Sequence, residues 1–313
     1  MPTKKIFKSL DEQIAILESK GLIVENKKET KDILFRENYY FITGYRFLLI
    51  KSPKDKHFIP GSTFKELYAI FNFDRALRNI LFKNILIVEN NIKSIISYRL
   101  SERYGVKEKE YLQHHNFTEE ASKKRQVDDL IYKMNRQIRK NAGSHEATRH
   151  YMSTYGYIPF WVLVKLLSFG IVTELYRILK SEDQLTISKY YNLDIENLKT
   201  YLGLLANYRN ICAHEDMAFT KRTDVSINDT IYHQYLDIPK KDSEYIYGKN
   251  DLMALIIVLK SLLTNEEFKL LLYEIHYEVN VLDSKIHSIP STKILDAMGL
   301  PNNYYNLSKK ERT

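Results

Sequence analysis

Thr63–Tyr104 reads TFKELYAIFNFDRALRNILFKNILIVENNIKSIISYRLSERY, a run in which apolar residues recur at three and four positions almost without a break. Side chains at that spacing share one face of a helix, so the run is an amphipathic helix, either one very long one or two with a kink. Thr63 followed by Glu66 is a capping-box pattern and marks its start. On it lie Asp74, Arg75, Arg78, Glu89 and Arg99, separated by Leu77, Ile80, Leu81, Ile85 and Val88. Two readings stand for these charges: intrahelical pairs on a solvated face, or the lining of a nucleic-acid groove.

Working towards the N-terminus, Ser9 caps a helix whose apolar positions Leu10, Ile14 and Leu17 recur at helical spacing, and Gly21 ends it. A short helix spans about Lys28 to Arg36. Tyr39 to Ile50 mixes aromatic and β-branched residues with a glycine, which fits either a short extended segment or a packed loop. Ser52-Pro53-Lys54-Asp55 and Pro60-Gly61 bound a candidate small hairpin, the one strand region the sequence suggests.

Towards the C-terminus, Pro159 opens a helix with Trp161, Leu163, Leu166 and Leu167 as core and Gly170 permitting close helix packing. Another helix covers Thr186 to Tyr191. Asp194 caps the run through Leu198, Leu202 and Leu205 to Arg209. Met217 to Lys249 reads as irregular. Thr264-Asn265-Glu266-Glu267 is a second capping box between helices at about Lys249 to Leu263 and Asn265 to Leu282, and Asn302 to Thr313 reads as a frayed basic tail. The fold class expected is all-α, with at most a small β element near the N-terminus.

The 313 residues, 44% hydrophobic and 12% aromatic, are ample for a packed core of one or two domains. A formal charge of +8 suits a nucleic-acid partner and fits a membrane surface more weakly. The apolar windows Ile158 to Tyr176 and Leu252 to Leu263 are interrupted by Lys165, Glu174 and Lys260, and read as buried helices instead of membrane spans. A single cysteine excludes an internal disulfide, and without Cys or His pairs at ligand spacing no metal or cofactor is expected. The opening residues mix charges with apolar positions unlike a secretory signal, so a reducing, cytoplasmic setting is expected.

Between Gly105 and Tyr157 the chain turns basic, with Lys123, Lys124, Arg125, Lys133, Arg136, Arg139 and Lys140 among the cations and tyrosines at 104, 111, 132, 151, 155 and 157 interleaved. Cations for phosphates and rings for stacking on bases are the two components of single-stranded nucleic-acid binding; a solvated helical surface is the other reading. His114 and His115 are adjacent, so on a helix they point to different sides and make a poor metal site.

Arg209-Asn210-Ile211-Cys212-Ala213-His214 is the one place where a histidine follows an arginine by five positions. It sets a permanent cation beside a group that titrates near neutral pH, a pairing suited to phosphate chemistry; a cation and an imidazole at a helix's negative end is the plainer reading. At ~100° per residue Asn210 and His214 share a face while Arg209 lies roughly 140° from His214, so a long stem or a distorted last turn must bring the guanidinium round. Cys212 reads as a small packed residue.

Six ordered motifs then resemble the Abi-like (abortive infection, AbiD/AbiF) family, whose catalytic core belongs to the HEPN ribonuclease superfamily. They are Asp11-Glu12-Gln13-Ile14 through Lys20-Gly21-Leu22-Ile23, then Asn38-Tyr39-Tyr40 with Gly44-Tyr45, and Phe73-Asp74-Arg75-Ala76-Leu77-Arg78. Pro159-Phe160-Trp161 with Ser168-Phe169-Gly170, the Arg209 to His214 block, and Met298-Gly299-Leu300-Pro301 follow. Lys165 departs from the family, which usually has a glutamate there, and Glu215 stands where many members carry a second histidine.

The resemblance implies a HEPN-type helical bundle over 63–301 with a basic insertion at about 105–157, preceded by helices and a short aromatic segment in 1–62 and followed by the tail 302–313. It implies a metal-independent endoribonuclease of antiphage defence or a toxin system, with Arg209, Asn210 and His214 as the catalytic motif and a homodimer bringing two copies together. Lys123, Lys124, Arg125, Lys133, Arg136, Arg139, Lys140, Arg75 and Arg78 are the expected RNA contacts. The alternative implied is an RNA-binding protein that partners a small structured RNA, its nuclease silent or inhibited. No membrane partner is expected.

Overall fold

A computed structural model describes residues 6–311 of the chain. Residues 1–5, part of the N-terminal reading, and residues 312 and 313 of the tail lie outside the described residues.

The N-terminal helices α1 (Leu10–Ser19) and α2 (Lys27–Glu37) pack against each other. Ser9 and Glu12 form a full capping box at the start of α1, and the Asn26 side chain accepts from Glu29 N–H at the start of α2. Tyr39–Ile50 is neither strand nor plain loop. It forms a short helix α3 (Tyr39–Thr43), begun by Asn38 Oδ1 accepting from Tyr40 N–H at 2.8 Å, and a 3₁₀ turn over Gly44–Leu48. Of the hairpin expected before Pro60, only an isolated bridge between Ile50 and Phe58 forms.

The axis of the molecule is α4 (Phe64–Tyr104), one unbroken helix of 41 residues. At ~1.5 Å of rise per residue it is about 60 Å long. Thr63 and Glu66 cap it reciprocally. Leu67, Ile70, Leu77, Leu81, Ile85, Val88, Ile92, Ile96 and Leu100 make a seam in which each is 2% exposed or less. Burying each such side chain is worth roughly 1.5–3 kcal/mol, which is why the seam and not intrinsic propensity holds so long a helix.

Beyond α4 come α5 (Glu108–Tyr111), α6 (Lys124–Asn141), α7 (Glu146–Tyr155), α8 (Phe160–Leu166), α9 (Phe169–Ile178), α10 (Ser181–Tyr190) and α11 (Ile195–Ala213). Helices α8, α9, α10 and α11 all lie on α4, and α6 packs on α8 and α9. Trp161, expected in the core, is 43% exposed at the surface of α8, where Nε1 donates to Tyr151 Oη at 3.3 Å. Gly170 is also exposed, and a methyl group added there would meet only Ser168 Oγ, at 4.0 Å, so no packed helix requires the glycine.

The segment after α11 is less irregular than its sequence suggests. It contains α12 (Ile231–Tyr235) and the two-residue strands β1 (Lys240–Lys241) and β2 (Glu244–Tyr245), paired antiparallel. This ladder, far from the N-terminus, is the only sheet among the described residues. Asp242 and Ser243 turn it with positive φ values of 51° and 69°.

Helix α13 (Leu252–Leu262) is buried on every side and α14 (Asn265–Asp283) packs along α4. An all-round apolar helix has no solvent face to offer, so α13 becomes a core rod. The last helix, α15 (Ser291–Met298), ends at Gly299 in the left-handed region. The tail does not fray where it is described: Tyr304–Ser308 is a 3₁₀ turn against α14, with Tyr304 and Leu307 at 2% and 0% exposure. No helix among the described residues is long and apolar enough to cross a membrane.

Candidate active site

The motif helix α11 starts where the sequence indicates, with Asp194 Oδ1 accepting from Asn197 N–H at 2.7 Å. Leu198, Leu202, Leu205 and Tyr208 face the core, and Asn210, Ala213 and His214 face solvent. At the C-terminus the His214 N–H donates to Asn210 O at 3.0 Å and the Asp216 N–H reaches back to Ile211 O at 3.1 Å. Glu215, between them, has a φ of 57°. This left-handed position usually belongs to glycine and costs a side chain about 1 kcal/mol. The stop turns the chain sharply and leaves the imidazole at the end of the helix.

His214 opens on a cleft of about 1210 Å³ between the corner formed by α2, α3 and the following 3₁₀ turn, the first turns of α4, and residues 213–217. Its walls include Arg36, Arg46, Lys56 and Arg75 as cations and Tyr39, Tyr40, Phe41 and Phe47 as rings. Arg75 is one-third exposed, bound to Glu37 at 2.5 Å and lying 4.7 Å from the Phe71 ring centroid. That contact with Arg75 holds the Glu37 carboxyl below the ordinary glutamate range.

Arg209 takes another direction. Its guanidinium lies 5.6 Å from the centroid of Phe82, with Nε 3.8 Å from Glu89 Oε2, both on α4. Among the described residues no hydrogen bond or ion pair joins Arg209 to His214, which agrees with their separation around the helix. Glu89 and Lys93 form an ion pair of 2.7 Å, each side chain 8% exposed, directly beside Arg209. Arg209 Nε and Glu89 Oε2 lack a hydrogen bond, so this corner is polar, largely buried and incompletely paired. Lys93 went unread in the sequence; two charges at i and i+4 inside an apolar stripe were the available signal.

Beneath the cleft sits a second polar cluster. Asp74 is fully buried and accepts from Tyr45 Oη at 2.6 Å, from Arg78, and from the backbone N–H groups of Ala218 and Phe219 at 3.3 and 3.1 Å. Burial raises the Asp74 pKa above that of an exposed aspartate, against the pull of Tyr45 and Arg78. Arg78, read from the sequence as an RNA contact, is 3% exposed and meets Asp74 and Tyr45 instead of solvent. The cluster ties the N-terminal corner, α4 and the chain after His214 into one unit. Cys212 is buried, and burial pushes its thiol up to about 12. It is therefore packed and unreactive.

The basic stretch occupies a different part of the molecule, and none of the cleft's lining comes from 105–157. On α6, Val127, Leu130, Ile131 and Met134 are buried, while Arg125, Tyr132, Arg136, Arg139 and Lys140 form one exposed stripe and Lys124 is exposed near its start. Lys123 is engaged by Glu120 at 2.8 Å and Lys133 by Glu174 at 2.8 Å. Lys165 is exposed on α8. No group of three His, Cys, Asp or Glu side chains among the described residues could hold a metal ion.

Comparison with curated proteins returns no match, and comparison with solved structures returns none either. A family model described as Abi-like protein matches residues 32–220. The matched span runs from α2 through the long axis helix and the whole Arg209–His214 block, well over half of the chain, and by that match the chain belongs to the Abi-like protein family.

Proposed function

We propose that this Abi-like protein is a HEPN-type endoribonuclease of antiphage defence, acting on single-stranded RNA as a homodimer without a metal cofactor. The observation that carries the reading is the exposed His214 imidazole at the lip of a cleft walled by cations and aromatic rings. RNA brings its own nucleophile, the 2′-hydroxyl. Cleavage needs a base to take that proton, positive charge on the phosphate and an acid for the departing 5′-oxygen. His214 supplies one proton carrier; Arg209, once it leaves Phe82 and Glu89, can donate two hydrogen bonds to phosphate oxygens, and Asn210 orients either. One chain thus holds half of the machinery, and a two-fold dimer brings the second imidazole.

A second reading has its own support. The placement of Arg209 against Phe82 and Glu89 fits an RNA-binding protein whose nuclease is silent until Arg209 is released. The deciding experiment incubates wild type, His214→Ala and Arg209→Lys with matched RNA and DNA oligonucleotides in chelator. Wild type cutting RNA to a cyclic-phosphate product, DNA intact, His214→Ala reduced roughly 10²- to 10⁴-fold with binding retained, and Arg209→Lys inactive would support the enzyme. Equal cutting of DNA, loss of activity in chelator, or an active His214→Ala protein would overturn it.

A further inference from the structure

The N-terminal side of the cleft carries features that neither the motif nor the basic insertion uses. Arg46 and Lys56 line it, and neither side chain has a hydrogen-bond or ion-pair partner among the described residues. Three rings beside them are open to solvent: Tyr40 is 76% exposed, Phe41 58% and Phe47 39%. Soluble proteins rarely leave such rings bare in one place without a use for them.

We propose that this corner, residues 39–56, is the substrate-strand subsite, where single-stranded RNA stacks bases on Tyr40, Phe41 and Phe47 while Arg46 and Lys56 hold its phosphates beside His214. The proposal rests on the ribonuclease reading and deepens it by assigning the RNA path to the N-terminal corner instead of the α6 stripe.

Three observations favour it. Phe47 is a fixed platform, because its ring stacks on Phe219 at 6.1 Å and Phe219 stacks in turn on Tyr45 at 5.8 Å. Both supporting residues are pinned by Asp74, so a base on Phe47 would be held against the same cluster that carries the chain after His214. The cations crowd one another: Lys20 has its pKa lowered by burial and by the charges of Arg46 and Lys56, so an anion there would relieve repulsion. Lastly, residues 213–217 line the same cleft as Arg46, Phe47 and Lys56, so a strand held on that wall lies in the space on which His214 opens. Rings that accept any base and cations that track a backbone are the combination that single-strand binding requires.

The test measures binding of a fluorescein-labelled RNA of ~12 nucleotides to full-length His214→Ala protein by anisotropy across a salt series, a length within the site sizes of single-strand grooves. Into that background go Phe47→Ala, the pair Arg46→Ala with Lys56→Ala, and the pair Arg136→Ala with Arg139→Ala. Loss of one stacking platform should weaken binding about 5- to 150-fold. Loss of the cation pair should lower the salt slope by about 1.4, at ~0.7 per phosphate contact on a single strand. With His214 intact, the same changes should raise KM and leave kcat nearly unchanged. Because Phe47 also stacks on Phe219, folding of each variant is confirmed by an unchanged helical circular dichroism spectrum and a cooperative thermal melt.

If the corner variants bind as tightly as the parent while the Arg136 and Arg139 pair does not, the path lies on α6 and this proposal falls with the ribonuclease reading intact. If the corner variants turn monomeric in sedimentation with RNA affinity unchanged, the rings are a dimer contact and the proposal also falls. Failure of the parent protein to bind single-stranded RNA at all would remove both readings.

Discussion

Replacing Asp74 with alanine should be among the most damaging single changes in the molecule. The carboxylate is 0% exposed and serves four donors on three separate pieces of chain: Tyr45 Oη, the Arg78 guanidinium, and the N–H groups of Ala218 and Phe219. Truncation leaves Arg78, itself 3% exposed, as an uncompensated buried cation. Breaking a buried pair from one side costs about 3–5 kcal/mol. At roughly 2–4 °C per kcal/mol for chains somewhat shorter than this one, the melting temperature should fall by about 10 °C. Thermal and urea unfolding followed by circular dichroism measures the loss. A double variant, Asp74→Ala with Arg78→Met, distinguishes charge orphaning from simple loss of contacts: removing the cation together with its partner should recover much of the stability. A single variant within about 1 kcal/mol of wild type, or a double variant as poor as the sum of the two single changes, would refute the reasoning. Because the same carboxylate anchors the chain a few residues beyond His214, the proposed RNA cleavage should fall in Asp74→Ala even at temperatures where the protein stays folded.

With the strand on the N-terminal corner, charge reversal at Arg136 and Arg139, on the exposed α6 stripe, should change RNA affinity and its salt slope far less than loss of Arg46 and Lys56; a steep loss in a salt titration would put phosphate contacts on α6. Glu66 accepts from the N–H groups of His287 and Ser288 at 2.6 and 2.7 Å and from Thr63 N–H at 2.8 Å. Glu66→Gln should therefore cost about 1.5–3 kcal/mol near neutral pH. Burial raises the Glu66 pKa, but those N–H groups outweigh burial and leave it below the ordinary value of 4.5. Its stabilisation is thus full above the unfolded value and lost as pH falls through the lower folded one. The gap between wild type and Glu66→Gln should narrow in acid, and a gap that stays constant from neutral pH to the acid limit would contradict the assignment. Cys212, buried and with its thiol pushed up to about 12, should resist maleimide near neutral pH and react promptly in denaturant; rapid labelling of the native protein would show the end of α11 to be open.

The sequence by itself determined the helices whose reasons are local. Apolar recurrence at three and four positions, the Thr63–Glu66 and Thr264–Glu267 boxes and the Asp194 cap specify α4, α14 and α11 through contacts within one or two turns, and the structure places them accordingly. The rotation between Arg209 and His214 was equally legible, being a property of any helix. What those residues face was not, because the neighbours of Arg209 are Phe82 and Glu89, more than a hundred positions away in the chain. The same holds for Arg78, whose place in an exposed-looking FDxxLR segment gives no sign that Tyr45, Asp74 and the chain after His214 converge on it. Tyr39–Leu48 became helical despite its aromatic and β-branched content because Asn38 caps it and Ile42, Tyr45 and Leu48 gain burial in the core shared with α4. Asp242-Ser243 lacks the glycine that announces a tight turn, and the strand pair it closes was invisible for that reason. The cleft itself is built from α2, α3, α4 and the end of α11, elements whose own sequences encode their helical form but not one another's position; only long-range packing brings Phe47, Arg46 and His214 to one surface.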